Sequence, residues 1–354
     1  MSGLISLVAR GAQDVFITGK PEISFFKAAY KRHTNFSMFP VELQPIGTAG
    51  ANGTISLPIQ RKGDLLSYVW ADCSTEHISD TFGMTTLTPS VFRLYVGGQI
   101  IEEHDAYFAS KLYPKFLANS GSKTTANRDA TTIEDSSFLP LHFSFCDEVG
   151  LSLPLVALQY HDVEIRVNFN SGTGANTKYY ANYIQLDTEE RQALANEPRE
   201  MLITQVQRIQ KDTDTKVDLS YFNHPVKCLL WGSKQTTTAQ FTFGDLKLNL
   251  NGVDMFDPMP SKYFSHVQTY HHTTNGSDLQ AAPSGEAAYL YMHSFALKAD
   301  KHQPCGTVNF SRLDNAEMKF GSTPTNASNM SWVYAVNYNI LRVQNGMAGL
   351  AFAN

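Results

Sequence analysis

Apolar and polar residues alternate with a period of two along much of the chain. The clearest runs are Val163-Glu164-Ile165-Arg166-Val167 and Leu246-Lys247-Leu248-Asn249-Leu250. In an extended chain successive side chains point to opposite faces. The pattern therefore sets one face in a core and the other toward water or a neighbour. Strands are predicted at residues 39–46, 54–60, 65–73, 92–96, 139–146 and 155–169. In the second half they are predicted at 201–207, 226–231, 246–250, 288–297, 307–310 and 332–343. Short strands separated by turn-rich segments point to a sandwich or barrel. The long connections, at 74–89, 110–137, 170–182, 231–241, 270–287 and 321–331, are rich in Thr, Ser, Asn and Gly and read as exposed loops.

Helical signal is sparse. Residues 22–33 follow Pro21, a residue suited to the first helical position. Residues 188–196 carry Glu189 and Glu190 in their first turn and stop before Pro198. A domain boundary is placed there, near 187–200.

The halves on either side resemble each other. Leu94-Tyr95-Val96-Gly97-Gly98-Gln99-Ile100 parallels Leu248-Asn249-Leu250-Asn251-Gly252-Val253-Asp254, and the glycines at 98 and 252 lie 154 residues apart. The pairs Tyr107-Phe108 and Tyr263-Phe264 lie 156 apart, and strands ending at Trp70 and Trp231 lie 161 apart. Three matches in one order at nearly constant separation indicate an internal duplication. Gly98 and Gly252 are expected to supply positive φ in hairpin turns. Trp70 and Trp231 are expected to anchor the two cores.

Composition narrows the function. At 354 residues the chain has room for about two domains. Charged residues make up 17%, against about 25% in ordinary soluble proteins. That low share fits surface buried against other subunits, and equally an all-β chain with many Ser, Thr and Asn turns. The net charge of −5 gives no global basic field for nucleic acid. Cys73, Cys146, Cys228 and Cys305 are far apart with no Cys-x-x-Cys, which argues against a zinc site or a disulfide framework and for buried free thiols. The N-terminal apolar run is short and broken by Arg10, so no signal peptide is expected, and no apolar run reaches membrane-spanning length.

Four segments carry a family resemblance: LVARGAQDVFITGKPEISFFKAAYKRHTNF (7–36), LPLHFSFCDEVGLSLPLVALQYHDVEIRVNF (139–169), GTVNFSRLDNAEMKF (306–320) and YAVNYNILRVQNGMAGLAFAN (334–354). Together they resemble the major capsid proteins of large double-stranded DNA viruses of the chlorella-virus and iridovirus type. The resemblance implies an all-β chain of two tandem eight-stranded jelly-roll β-sandwiches, a double jelly roll with few short helices. It implies a homotrimer of pseudo-hexagonal outline that tiles an icosahedral shell in the virion, made and assembled in the host cytoplasm. The expected division is 1–36 as an N-terminal arm, 37–197 as the first jelly roll and 198–354 as the second. Over residues 1–36 five basic residues face two acidic ones, a net +3, interleaved with Phe16, Phe25, Phe26, Tyr30 and Phe36. This segment either contacts neighbouring subunits, minor capsid proteins or an inner membrane, or merely closes the base of the first jelly roll.

Catalytic signals are missing. There is no His-x-His, and in a strand the adjacent His271 and His272 would point to opposite faces. No P-loop, nucleophile elbow or Gly-x-Gly-x-x-Gly occurs. The pairs Glu102-Glu103 and Asp147-Glu148 read as solvated charge. No cofactor, metal or catalytic residue is assigned. Asn-x-Ser/Thr acceptors occur at Asn35, Asn52, Asn275, Asn309, Asn326 and Asn329, of which Asn275, Asn326 and Asn52 are the candidates for glycosylation. A rival function, a jelly-roll lectin, would centre on the loop residues Tyr179-Tyr180-Ala181-Asn182-Tyr183.

Overall fold

The alternating runs pair into sheets that bury one face of each strand. A computed structural model describes residues 2–9, 11–22, 32–73, 81–83, 89–125, 138–170, 177–234, 240–274 and 289–352. Two units separate, Met1–Asn35 and Phe36–Asn354. Among its described residues the first holds two short helices, α1 (Ser2–Val8) and α2 (Asp14–Thr18). Of the helix expected at 22–33, residues 23–31 lie outside the described residues.

The second unit opens with ten strands: β1 (Phe36–Leu43), β2 (Ile46–Gly47), β3 (Thr54–Pro58), β4 (Leu65–Asp72), β5 (Val91–Val96), β6 (Gln99–Asp105), β7 (Phe138–Pro140), β8 (Leu153–Pro154), β9 (Val163–Asn168) and β10 (Lys178–Leu186). They form one sheet in the order β1-β10-β4-β7, with β8 also on β4, and a second in the order β2-β3-β9-β5-β6. Helix α3 (Phe108–Leu117) follows β6, and α4 (Thr188–Asn196) follows β10. Asp187 caps α4, its Oδ1 accepting from the Thr188 N–H at 2.7 Å.

Eleven strands follow: β11 (Arg199–Ile209), β12 (Lys216–Asp218), β13 (Pro225–Gly232), β14 (Asp245–Leu250), β15 (Val253–Asp254), β16 (Met259–Pro260), β17 (Leu290–Ser294), β18 (Val308–Asn309), β19 (Ala316–Phe320), β20 (Val333–Gln344) and β21 (Met347–Leu350). Helix α5 lies between β16 and β17, running from Tyr263–Val267 into Gln268–His272. The sheets are β11-β20-β13-β17, with β18 and β21 added, and β12-β19-β14-β15, with β16 added. Strand for strand this repeats the first sandwich, down to a broken strand (β7 with β8, β17 with β18) along one edge. Counting each broken strand once and leaving β2, β16 and β21 as short additions, each sandwich has eight principal strands. Both are double-sheet jelly rolls.

The hairpin turns explain part of the duplication. Gly97 and Gly98 have φ of 57° and 82°, and Asn251 and Gly252 have 51° and 81°. Two consecutive left-handed residues make the tight turn that suits twisted strands, and Gly or Asn adopt it at least cost. At Gly252 no neighbour would meet an added Cβ within 4 Å, so backbone conformation alone selects glycine there.

Several expectations fail for identifiable reasons. Residues 139–146 are not one strand. The chain leaves the sheet after Pro140 and turns helically over Ser144–Asp147, where the Ser144 N–H and Oγ both bind the Glu102 carboxylate. Within 155–169 only Val163–Asn168 is a strand, and Leu155–Ala157 is a 3₁₀ turn. The supposed loop at 110–137 begins with most of α3, a buried helix in π geometry whose Ala118 N–H reaches back to the Tyr113 carbonyl at 3.1 Å. The supposed loop at 170–182 runs into β10, where Tyr179 and Tyr183 are buried. The lectin reading thereby loses its loop.

Trp231 is fully buried in the second core, against Phe264 and Tyr291. Trp70 is not a core anchor. It is half-buried on the outer face of β4, stacked on Tyr180 at 5.2 Å with Tyr68 at 5.7 Å, while Val69 and Ala71 face the core. Trp231→Ala should therefore cost about 3–5 kcal/mol in urea unfolding followed by circular dichroism. Trp70→Ala should cost only about 1 kcal/mol in the single chain; equal losses would contradict this placement.

Candidate functional site: the sandwich junction and the outer sheet faces

Helix α3 leaves the first sandwich and lies on the outer face of the β11-β20-β13-β17 sheet. Phe108, Leu112, Phe116 and Leu117 pack with Cys228, Leu230, Met292, Tyr334 and Val336 in a third buried cluster, separate from the two sandwich cores. Apolar burial of this kind supplies the non-directional part of the junction.

A polar latch supplies its direction. Asp105, at the end of β6, is fully buried. Its Oδ2 accepts from Arg208 Nη1 at 3.0 Å and from the Tyr334 hydroxyl at 2.8 Å, and its Oδ1 accepts from the Phe108 N–H at 2.8 Å. Tyr107 lies parallel to Tyr334 with ring centroids 6.2 Å apart, and its hydroxyl donates to the Ser233 carbonyl at 2.8 Å. The Arg208 guanidinium also sits 4.9 Å from the centre of the Trp332 ring. Burial raises the Asp105 carboxyl's pKa, and Arg208 and the hydrogen bonds oppose that rise. A pair of this kind adds little net stability, but a shifted packing of the sandwiches would leave both charges unpaired.

More ionisable groups line a small cleft beside the latch. It measures about 30 Å³, room for a water or two, and is walled by Glu102, Tyr113, His142, Asp147, Lys227 and His302 among others. Burial pushes Glu102 up to about 8, against the opposing hydrogen bonds from Ser144. Burial and then Arg208 hold His104 down at about 3. His142, stacked on Tyr113 at 3.6 Å, is likewise held far below its ordinary value by burial. Asp147 accepts from the Tyr113 hydroxyl at 2.7 Å and is raised by burial. Sequence reasoning took Glu102 and Asp147 for solvated charge; burial in the junction overturns this for Glu102 and half-buries Asp147.

Chemically the cavity offers little. A carboxyl protonated at neutral pH and an imidazole titrating near 3 are poor bases, and the space admits no substrate. Among the described residues, no group of three or more His, Cys, Asp or Glu could hold a metal ion.

Exposed apolar residues lie elsewhere. In the first unit Leu4, Ile5, Leu7 and Val8 of α1, and Val15, Phe16 and Ile17 of α2, are all exposed. On the β1-β10-β4-β7 sheet, Met38, Tyr68 and Phe138 are exposed around the half-buried Trp70 and Tyr180. The glycosylation candidates are scattered. Asn52 and Asn326 are exposed with φ of 62° and 51°, the Asn326 Nδ2 donating to the Gln240 carbonyl at 3.0 Å. Asn275 lies outside the described residues. The junction itself was missed. Lys111, Pro114 and Lys115 interrupt the apolar spacing of α3 and made it resemble a loop.

The fold is thus a doubled jelly roll with Glu102, His104 and Asp105 buried at an internal junction and with Met38, Tyr68 and Phe138 exposed on one outer sheet face. Two family models match the chain: "Large eukaryotic DNA virus major capsid protein" over residues 190–349 and "Major capsid protein N-terminus" over residues 24–201. The major capsid protein of Pyramimonas orientalis virus is 36% identical, with 99% of each chain covered. That of Paramecium bursaria Chlorella virus 1 is 31% identical at the same coverage. Among solved structures, PBCV-1 VP54 superposes with a TM-score of 0.74 at 27% identity, covering 94% of this chain and 100% of that one. The Faustovirus major capsid protein shares the fold at 11% identity, with a TM-score of 0.67 over 95% of this chain and 94% of that one. The chain belongs to the major capsid protein family of large eukaryotic DNA viruses. It is a structural protein and not an enzyme.

The buried carboxyl of Glu102 sets a pH dependence. Its folded value, about 8, lies above its ordinary 4.5, so the folded protein holds the proton more tightly. The associated stability is full below about 4.5 and is lost as pH rises through 8. Glu102→Gln should remove this loss. Across pH 5 to 8 its stability relative to the unsubstituted protein should rise by on the order of a few kcal/mol. Urea unfolding of both proteins at several pH values measures this; a constant difference would contradict it.

Proposed function

We propose that this chain is a shell subunit of a virion: three copies associate into a capsomer of nearly hexagonal outline, and capsomers tile an icosahedral capsid. The repeated sandwich carries this reading. Two like domains in each of three chains give six like edges, and a ring of six packs a flat facet. On this reading residues 1–36 form an arm, 37–197 the first jelly roll and 198–354 the second. Family membership supports the role, as does the likeness to a chain of the PBCV-1 virus capsid, 27% identical with a TM-score of 0.72.

Contacts between chains act through area rather than chemistry. An obligate interface of this class buries on the order of 2,000 Å² or more per pair. The arm, with its exposed apolar helices and net positive charge, suits a partner beneath the shell: a minor capsid protein or an anionic inner membrane surface. Asn52 and Asn326, both exposed, are the described positions where glycans would attach. Assembly in the host cytoplasm suits four cysteines left as free thiols.

Light scattering of the purified protein should give about three times 39.4 kDa, and negative-stain images should show six-lobed particles. A stable monomer at micromolar concentration would contradict the reading.

A further inference from the structure

We propose that α5 of one copy covers the outer face of the β1-β10-β4-β7 sheet of the next copy, repeating between chains the contact that α3 makes within one; this rests on the trimeric reading above.

The two sheets correspond residue by residue. Trp70 stands between Tyr180 and Pro140 across its sheet, and Leu230 stands between Tyr334 and Met292 across the other. An irregularity in pairing falls at the same place in both, between Ala181 and Tyr183 in one and between Val226 and Cys228 in the other. Trp70 is thus the counterpart of Leu230, and Tyr180 of Tyr334. Leu230 and Tyr334 are buried under α3. Trp70 and Tyr180 are only half-buried, and Tyr68 and Phe138 beside them are 44% and 39% exposed.

The helices correspond too. The Ser110 hydroxyl donates to the Ala106 carbonyl at 2.8 Å, and the Ser265 hydroxyl donates to the Ser261 carbonyl at 3.3 Å. Ser265 is therefore the counterpart of Ser110, which aligns Val267 with Leu112, His271 with Phe116 and Lys262 with Tyr107. Leu112 and Phe116 are buried against the neighbouring sandwich. Val267 is 43% exposed, and Tyr270 and His271 beside it on the same stripe are also exposed. Phe264 and Ser265 are buried, Phe264 in the core of the helix's own sandwich.

A sheet face that exposes Tyr68 and Phe138 and a helix stripe that exposes Val267, Tyr270 and His271 are therefore the two halves of one contact already made inside the chain. A second copy is the occupant because it brings the missing half with the matching shape. Charge agrees. The place of Arg208, opposite Tyr334 on β11, is taken on β1 by Glu42, opposite Tyr180. Lys262, exposed near the start of α5, faces that position in the proposed contact. Within the chain Asp105, two residues ahead of Tyr107, pairs with Arg208; between chains Lys262, at the place of Tyr107, would pair with Glu42, with the signs exchanged and the helix-side charge two residues further along. Because the surfaces differ, the contact runs head to tail, and a sixfold repeat of like domains closes it at three copies.

The test uses the full chain. Val267→Glu places a charge at a site exposed in the single chain, so folding is unaffected. The variant should run near 39.4 kDa with unchanged circular dichroism where the unsubstituted protein is a trimer. A double variant, Tyr180→Cys with Lys262→Cys, copies the Tyr107–Tyr334 stacking pair. Treated with a short bis-maleimide it should link three chains on a denaturing gel, and neither single variant should. A trimer that survives Val267→Glu and gives no links would overturn the contact and leave the trimeric reading standing. An unsubstituted protein that is itself a monomer would overturn both.

Discussion

The structure depends on one helix laid across one sheet. Each sandwich has a core of its own, yet residues 36–354 form a single unit because α3 crosses from the first to the second and buries Phe108, Leu112 and Phe116 there. The ion pair of Asp105 with Arg208 fixes where the helix lands. Packing alone tolerates sliding; a buried carboxylate with three specific donors does not. On the proposed assembly, rigid placement of one sandwich against the other matters because any error there would be multiplied across every contact between chains.

The first core reaches across the junction as well. Ile203, Leu341 and Val343 of the second sandwich are buried with the first core, and Ala348 joins them. Burial holds Glu102, His104 and His142 toward their neutral forms, and Asp105 is paired with Arg208, which ties the strength of the junction to pH. The same burial leaves Glu102, His104 and Asp105 poorly placed to act as bases.

Much of the fold was legible in sequence, but at different grain. The Gly98 and Gly252 turns were readable because positive φ is a local demand that few residue types meet. The duplication was found, yet two of its three markers were out of step. Trp231 corresponds to Ala71 rather than Trp70, and Tyr263 to Phe108 rather than Tyr107, because strand pairing and helix bonding fix equivalence, not residue type. Trp70 and Trp231 face opposite ways as a result, one outward and one into a core. Helix α3 was lost because its partners lie more than a hundred residues on, and Pro114 with two lysines hid its apolar face. Glu102 looked solvated because nothing beside it in sequence reveals that Ser144 and a second sandwich enclose it.

Native-state hydrogen exchange measures the central claim most directly. If the α3 junction unites the two sandwiches, the slowest amides of β9 and β10 and those of β13 and β20 should open with the same free energy and the same dependence on denaturant. Two separate opening free energies, one for each sandwich, would contradict it.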